Sequence, residues 1–266
     1  AVALLWPDVG LKEVHGFSVP MAAKLDARPA LPLRTLVQGA RPHVEARLLS
    51  DFVDGSGRTL VKDRLHAQAR FVLGEALPPR ALEDAGRVLP WLARGGSSMD
   101  TCYLDPDQTT LGPRFRSIQW LRVFGRSEVL ARVERPLGRM FGHTHAPRFQ
   151  LDPFLLDGCF QTAAMLGVWH THLASLPAGF EVLRLYGTPE EGQPLYVHAR
   201  LLSTSGERAT YDLDAFDARG RLCWRMERYQ EYLLFPLTHR GVEKLTRLVG
   251  ESRLETPLRS GGRGEA

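Results

Sequence analysis

The stretch Leu151-Asp-Pro-Phe-Leu-Leu-Asp157-Gly-Cys-Phe-Gln161-Thr-Ala-Ala-Met165 decides the fold that this sequence predicts. A turn is expected at Asp152-Pro153, because proline disfavours the helical conformation in the residue before it. The apolar residues that follow predict a helix that continues to about His172. A long apolar helix must be covered by other elements, so we expect the remaining segments to build a sheet around it.

Asp157 and Gln161 are the polar pair of this predicted helix. Asp157 lies at or near its first turn, and Gln161 follows four residues later, so the two side chains share one face and can form a hydrogen bond. Their neighbours on that face are apolar: Phe154, Phe160, Ala164, Met165 and Val168. An acid that lies among apolar groups and is bonded to one neutral amide is favoured to keep its proton near neutral pH.

A helix N-cap is the alternative interpretation of Asp157, since aspartate is a preferred residue at that position. Taken alone, these residues favour the cap. The glutamine four residues on, the long apolar helix and the strand pattern described below favour an acid with a chemical role.

The composition predicts a globular chain without membrane or nucleic-acid segments. With 266 residues and 44% hydrophobic content, it can bury the core of one large domain or two small ones. The net charge of +4 comes from arginines spread along the chain; no basic run indicates nucleic-acid binding, whereas an acidic carrier protein would suit such a surface. No apolar run reaches the length of a bilayer, and the apolar start at residues 1–6 is too short for a signal peptide.

The three cysteines, Cys102, Cys159 and Cys223, have no metal-binding spacing. A sparse and odd set is typical of a reducing compartment, so we expect free thiols and a cytoplasmic location. His143 and His145 resemble a metal pair, but no third ligand follows at a suitable spacing, and we expect no metal.

Alternating polar and apolar residues predict strands on both sides of the helix. In the first half we expect strands at Val14–Val19 and Leu31–Val37, and a hairpin that pairs Val44–Phe52 with Thr59–Val72 across a turn at residues 54–57. In the second half, strands are predicted at Ser117–Val123, Ser127–Val133, Gly179–Tyr186, Pro194–Ser203, Thr210–Phe216 and Arg221–Leu234. The helix is therefore followed by an antiparallel meander.

The segment between the halves breaks this alternation. Residues 77–99 contain two consecutive prolines, a predicted short helix at Arg80–Ala93 and a Gly-Gly-Ser-Ser run, which are typical of an interdomain connection. Residues 236–266 predict one more short helix, at about Val242–Val249, and then a flexible glycine-rich tail.

Each half therefore has a helix followed by antiparallel strands. The first helix would be only the stump Ala1–Pro7, which is too short to be stable alone. A sheet that curls around an apolar helix is the hotdog arrangement, and two in tandem make a double hotdog of the α+β class. We expect an N-terminal hotdog at 1–76 that lacks its first strand and most of its helix, a linker at 77–99, a C-terminal hotdog at 100–235, and a C-terminal helix and tail at 236–266.

These motifs together resemble those of polyketide synthase dehydratase domains. The segment Leu-Leu-Asp157-Gly-Cys-Phe-Gln161 is similar to their Asp-x-x-x-Gln/His signature. Leu111-Gly-Pro-Arg-Phe115 resembles their Tyr-Gly-Pro-x-Phe segment, with leucine in place of tyrosine. Leu176–Tyr186 is similar to the strand that follows the hotdog helix in that family.

The resemblance covers residues 100–234 closely and 10–75 more loosely, and it favours the dehydratases of bacterial polyketide or polyunsaturated fatty acid synthases. It implies removal of water from a β-hydroxyacyl group carried on the phosphopantetheine of an acyl carrier protein. In the family a histidine takes the α-proton, which is only weakly acidic, and an aspartate protonates the leaving hydroxyl, which otherwise departs badly. Carried over to this chain, Asp157 is the acid and Gln161 orients it.

The resemblance also implies a substrate tunnel lined by Gly112, Pro113, Phe115 and Phe160. Gly112 and Pro113 are typical turn residues as well, so a purely structural role is the alternative for both. No bound cofactor is implied beyond the phosphopantetheine arm. The implied partners are the acyl carrier protein, the other domains of a synthase and a second copy of the chain, since many members of the family dimerise.

The base is the part of the family's site that this sequence lacks. In the family it belongs to a His-x-x-x-Gly-x-x-x-x-Pro motif, and none of the nine histidines has glycine and proline at those positions. His15, with Gly16 and Pro20 after it, comes nearest, but it follows the predicted stump. We expect the base upstream of Ala1. The alternatives are a site split between chains, a non-catalytic hotdog that binds or shapes the acyl chain, and a relative that isomerises or cyclises that chain.

Overall fold

An antiparallel sheet of eleven strands forms the frame of the described part of the protein. The computed structural model describes residues 8–20, 32–54, 56–103, 115–135, 151–190 and 192–252. The strands are β1 (Leu11–Ser18), β2 (Arg34–Ala40), β3 (His43–Val53), β4 (Thr59–Leu73), β5 (Ser97–Ser98), β6 (Ile118–Phe124), β7 (Glu128–Val133), β8 (Leu173–Leu185), β9 (Leu195–Ser205), β10 (Arg208–Phe216) and β11 (Leu222–Pro236). Their order across the sheet is β2-β3-β4-β1-β8-β11-β10-β9-β7-β6-β5. An antiparallel sheet with few helices agrees with the predicted α+β class.

The two halves share this one sheet, whereas the sequence predicts two separate sheets. β1 pairs with β4 on one side and with β8 on the other, where Val14 lies opposite Leu183. Both of these side chains are buried. A free strand edge would leave backbone N–H and C=O groups without partners, and the β1–β8 pairing satisfies them across the junction. The stump Ala1–Pro7, on which the prediction of an incomplete first hotdog depends, lies outside the described residues.

The predicted hairpin between β3 and β4 is confirmed. Val44 lies opposite Phe71, so the two strands run in opposite directions as expected. The turn is held by Asp54, whose Oδ1 accepts hydrogen bonds from the backbone N–H of Ser56 (2.9 Å) and Arg58 (3.0 Å). Aspartate commonly bonds to the backbone of its own turn, which makes this part of the fold local enough to predict.

The segment between the halves contains two short helices, α1 at Ala85–Val88 and a 3-10 helix at Leu89–Arg94. Helix α2 follows at the start of the second half and spans Asp100–Tyr103. The prediction of one helix over Arg80–Ala93 is therefore wrong in extent. The α-helical part ends before Pro90, because proline has no N–H to donate and its ring crowds the preceding turn.

Helix α3 spans Pro153–Thr171, as the opening stretch predicts, but its cap differs from the one considered above. Asp152 is the N-cap: its Oδ1 accepts hydrogen bonds from the backbone N–H of Phe154 (2.9 Å) and Leu155 (3.2 Å). Proline suits the first helical position because the missing N–H would have no partner there. Asp157 consequently lies in the second turn, and the N-cap interpretation of Asp157 is wrong.

The sheet encloses α3 along most of its length, through contacts with strands β6 to β10. The buried residues of the helix are Phe154, Leu155, Gly158, Cys159, Thr162, Ala163, Leu166 and Gly167. Alternate residues of β7 (Val129, Ala131 and Val133) belong to the same core, since successive strand residues point to opposite faces. The expected arrangement, a sheet curled around an apolar helix, is present in the second half of the chain.

Replacing Gly158 with alanine is expected to destabilise the protein by about 1–3 kcal/mol through overpacking. An added Cβ would overlap the Val133 side chain and lie 2.7 Å from Oγ of Ser117. The gain in helix propensity, about 1 kcal/mol, offsets only part of this loss. Urea denaturation measures the effect. Gly86→Ala in α1 is the matched control because an added Cβ there meets no other atom within 4 Å, and equal stabilities of the two variants would contradict the prediction.

The predicted linker packs on the face of the sheet opposite α3. A second apolar cluster forms there from Leu82, Val88, Phe124, Leu130, Tyr196, Phe216 and Leu222. Strand β5 then extends the sheet, with Ser97 opposite Leu121 of β6. The segment thus contributes to the core and to the edge of the second half.

A C-terminal helix, α4, spans His239–Ser252 and is longer than the predicted Val242–Val249. Its buried residues include Leu245, Leu248 and Val249, and it contacts β5, β6 and α3. The predicted glycine-rich tail lies outside the described residues. Among the helices that are described, none has both the length and the apolar character needed to cross a membrane.

Candidate active site

Asp157 and Gln161 lie side by side on α3, as their spacing predicts. Nε2 of Gln161 donates a hydrogen bond to Oδ2 of Asp157 over 2.5 Å. Both side chains are half-buried. The pair therefore presents one carboxyl group, held on one oxygen by a neutral amide, at the partly covered face of the helix.

Asp157 is shifted towards its protonated form. Burial raises the pKa of this carboxyl above its ordinary value of 3.8, and the hydrogen bond from Gln161, which favours the anion, opposes burial without cancelling it. The positive end of a helix dipole stabilises anions only near the first turn, and Asp157 lies beyond that turn. Burial therefore decides the direction of the shift.

Two further groups hold the amide of Gln161. Its Nε2 also donates to the backbone oxygen of Phe115 (2.6 Å), and its Oε1 accepts a hydrogen bond from Oη of Tyr103 (2.6 Å). Tyr103 ends helix α2 and belongs to none of the motifs named from the sequence. No local pattern indicated this contact, because the tyrosine and the glutamine are 58 residues apart.

The two predicted aromatic residues occupy different positions. Phe115 contributes its backbone oxygen to the site, and its ring lies 5.2 Å from the ring of Phe154, measured between centroids. The ring of Phe160 stacks on Tyr229 of β11, with centroids 4.9 Å apart and planes 7° from parallel. Phe160 thus packs the acid-bearing helix against the sheet, while Phe115 bonds to Gln161 through its main chain.

Glu231 is a second acid beneath α3 that the sequence did not reveal. It is fully buried on β11, and its Oε1 accepts a hydrogen bond from Oη of Tyr229 over 3.1 Å. Oη of Tyr211 lies against Gly167 of α3. This oxygen and Oε2 of Glu231 are both buried, and neither has a hydrogen bond of normal geometry among the described residues. Burial raises the pKa of Glu231 to about 7. The core behind the site therefore holds a carboxyl group that titrates near neutral pH.

Replacing Glu231 with glutamine is expected to stabilise the protein above pH 7 and to leave its stability unchanged below pH 4.5. A carboxyl group whose pKa is raised on folding makes its full contribution to stability when the pH is below its ordinary pKa, here 4.5. That contribution is lost as the pH rises through the folded pKa of about 7. Glutamine stays neutral and can still accept the hydrogen bond from Tyr229. Urea denaturation of both proteins across this range measures the difference, and parallel stability curves would contradict the prediction.

Other positions named from the sequence are either outside the described residues or hydrogen-bonded elsewhere on the sheet. Gly112, Pro113, His143 and His145 lie outside the described residues. Three other histidines are engaged on strands, in the hydrogen-bonded pairs His15–Glu13, His66–Ser50 and His198–Glu128. Within the described ranges, no group of three or more His, Cys, Asp or Glu side chains is placed to hold a metal ion.

Two surface clefts lie in the first half of the sheet, away from Asp157. One, of about 450 Å³, is bordered by His15, His43 and Arg70, and the other, of about 550 Å³, by Arg34 and Arg47. The residues of both clefts belong to β1–β4, so neither cleft contains the Asp157–Gln161 pair.

The chemistry that the Asp157–Gln161 pair can perform is proton donation from a carboxylic acid oriented by an amide.

A family model identifies the second half of the chain. Residues 86–231 match the model described as the polyketide synthase dehydratase N-terminal domain. A comparison with curated proteins found no match.

Solved dehydratase domains share the fold. A trans-AT polyketide synthase dehydratase domain from Brevibacillus brevis is 20% identical, with a TM-score of 0.65 over 85% of this chain and 76% of that one. The dehydratase domain of PpsC from Mycobacterium tuberculosis, in complex with C12:1-CoA, is 17% identical, with a TM-score of 0.57 over 84% and 76%. A trans-acyltransferase polyketide synthase enoyl-isomerase is 13% identical, with a TM-score of 0.62 over 87% and 84%. At these identities the likeness establishes the fold alone.

Proposed function

This chain belongs to the polyketide synthase dehydratase family, and from that premise we propose that it eliminates water from a β-hydroxyacyl chain carried by an acyl carrier protein. The acyl carrier protein would belong to a polyketide or polyunsaturated fatty acid synthase. The observation that carries the proposal is the half-buried Asp157, whose pKa is raised by burial and whose Oδ2 is held by Gln161.

In the proposed reaction Asp157 gives its proton to the β-hydroxyl group as the C–O bond breaks, and the oxygen leaves as water. Gln161 occupies Oδ2, so we assign the transferable proton to Oδ1. A base removes the α-proton of the thioester, and the electron pair of that C–H bond forms the α,β double bond. Each proton transfer by a positioned group is worth about 10²- to 10⁴-fold in rate.

The base is proposed to lie outside these 266 residues, because no histidine here has the family's glycine and proline spacing.

The residues proposed to line the acyl chain are Gly112, Pro113, Phe115 and Phe160. Phe115 suits this role, since the residue is 40% exposed and its backbone oxygen bonds to Gln161. The net charge of +4 suits an acidic carrier protein. Other synthase domains and a second copy of this chain are further proposed partners, in the cytoplasm.

Chemical rescue tests the function, because free imidazole can supply the missing base. The chain is incubated with a β-hydroxyacyl pantetheine thioester, with and without imidazole, and formation of the enoyl thioester is followed by its ultraviolet absorbance. We expect imidazole to accelerate a reaction that saturates with thioester, beyond the rate in a protein-free control. Absence of enoyl product at every imidazole concentration would overturn the proposal.

A non-catalytic module that binds or shapes the carrier-bound acyl chain is the alternative function. The observation that favours it is the absence of a histidine with the family's spacing from this chain. Fluorescence titration with an acyl-pantetheine probe separates the two functions. Saturable binding together with no elimination in the rescue assay would favour the module.

A further inference from the structure

The amide of Gln161 has two orientations, and they act on an acid in opposite ways. With Nε2 towards Asp157, the amide donates to the carboxyl and leaves the carboxyl proton available. With Oε1 there, the amide would accept that proton and hold it. The groups around Gln161 therefore determine whether Asp157 can serve as a proton donor.

Tyr103 is placed to select the first orientation. Its Oη lies 2.6 Å from Oε1 of Gln161 and 3.0 Å from the backbone nitrogen of Ile118. A backbone N–H can only donate, so Oη accepts from Ile118 and directs its own proton to Gln161. If the amide were reversed, Nε2 of Gln161 and the N–H of Ile118 would both point their protons at Oη of Tyr103. The phenol proton would then have no acceptor on either of these two groups.

Phe115 favours the same orientation from the other side. Its backbone oxygen accepts a hydrogen bond from Nε2 of Gln161 over 2.6 Å. Reversal would bring two carbonyl oxygens to that distance, which is repulsive. Ile118, Tyr103, Gln161 and Asp157 thus form a directed chain in which each group donates to the next.

The phenol is held by the sheet edge rather than by the helix that carries the acid. Tyr103 is 6% exposed, and its backbone N–H donates to the oxygen of Met99 over 3.0 Å. The N–H of Met99 donates in turn to the oxygen of Gln119 in β6 over 3.1 Å. Tyr103 therefore positions the side chain of Gln161, on α3, relative to strand β6.

We propose that Tyr103 is a positioning residue that sets the amide orientation of Gln161 and thereby keeps the proton of Asp157 available to substrate. This inference rests on the proposed function, in which Asp157 is the proton donor. Tyr103 lies outside the segment Leu111-Gly-Pro-Arg-Phe115 and outside the Asp157–Gln161 motif, so neither motif assigns it this role.

Replacing Tyr103 with phenylalanine removes one oxygen and leaves Oε1 of Gln161 without its donor. The amide can then reverse, and a reversed amide bonds only to the protonated carboxyl, so the pKa of Asp157 should rise above its wild-type value. The imidazole-rescued kcat should fall about tenfold, the equivalent of losing one hydrogen bond in the transition state. The alkaline decline of the rate should move to higher pH, which a purely structural defect would not cause.

Carboxyl carbon NMR titration of the full chain tests this independently of turnover. Asp157→Asn assigns the Asp157 signal, and Tyr196→Phe is the matched control, because Tyr196 packs in the cluster on the opposite face of the sheet. We expect the Asp157 pKa to rise in Tyr103→Phe and to stay at the wild-type value in Tyr196→Phe. Equal values in wild type and both variants would overturn the proposal.

A double variant provides the second measurement. In a Gln161→Leu background the amide is absent, so Tyr103→Phe should cause no further change in the Asp157 titration. A further shift in that background would show that Tyr103 acts on Asp157 by another route and would overturn the proposal. Because titration needs no substrate, a chain without dehydratase activity could still show that Tyr103 orients Gln161. Failure of the proposed dehydratase function and failure of the proposed role of Tyr103 are therefore distinguishable.

Discussion

Asp157→Asn is expected to lower the imidazole-rescued rate of water elimination by about 10²- to 10⁴-fold, the range that general acid catalysis supplies. Asparagine keeps the shape of the side chain but has no acidic proton for the leaving oxygen. The same variant should be more stable than wild type at neutral pH. Burial raises the pKa of Asp157 above 3.8, so its contribution to stability is complete below that pH and is lost as pH rises through the folded value.

Enoyl formation and urea denaturation, measured on the same protein samples over a range of pH, test both parts of this prediction. Asp152→Asn is the matched control for the elimination rate, since asparagine also serves as an N-cap and Asp152 takes no part in the proposed proton transfer; it is no control for stability, because it removes the ion pair with Arg135. Equal elimination rates for wild type and Asp157→Asn would remove Asp157 from the mechanism, whatever the stability measurements show.

Asp214→Asn is expected to destabilise the protein by about 3 kcal/mol, because it removes one partner from a buried group of charges. Asp214 on β10 is 1% exposed and accepts hydrogen bonds from Nη1 of Arg200 (2.8 Å) and Nε of Arg225 (2.6 Å). Burial alone would raise the pKa of Asp214, but the hydrogen bonds and charges of Arg225 and Arg200 lower it. Asparagine would remove the carboxylate charge that both guanidinium groups face, and Arg225 would keep only its ion pair with the exposed Glu83 (2.9 Å).

The pH dependence of stability gives a second test of this buried group. A carboxylate whose pKa is lowered on folding stabilises the protein above its ordinary value, 3.8 for Asp214, and that contribution is lost as pH falls through the folded value. Asp214→Asn should therefore lose less stability than wild type on acidification. Asp51→Asn, in an exposed pair with Arg34, is the control and should change little. Equal stabilities of the two variants at neutral pH would contradict the prediction.

The parts of the site that could be predicted are those whose contacting residues are close along the sequence. Asp157 and Gln161 are one helical turn apart, so their contact follows from the geometry of any helix in this stretch. The β3–β4 hairpin follows equally from alternation and a turn that Asp54 closes. The N-cap was predicted wrongly, because Asp157 was considered for it, whereas Asp152, which directly precedes Pro153 at the first helical position, occupies it.

The sequence by itself determined the helix, the acid–amide pair and most strands, since each depends on residues that are close along the chain. Only the tertiary structure decided that one continuous sheet joins the halves, that Tyr103 and Phe115 orient Gln161, and that Glu231 is buried beneath α3. These contacts join residues from distant strands and helices, and strand order and register bring them together. Burial, which raises the pKa of Asp157, likewise arises from all the elements packed around α3 rather than from the residues beside it in sequence.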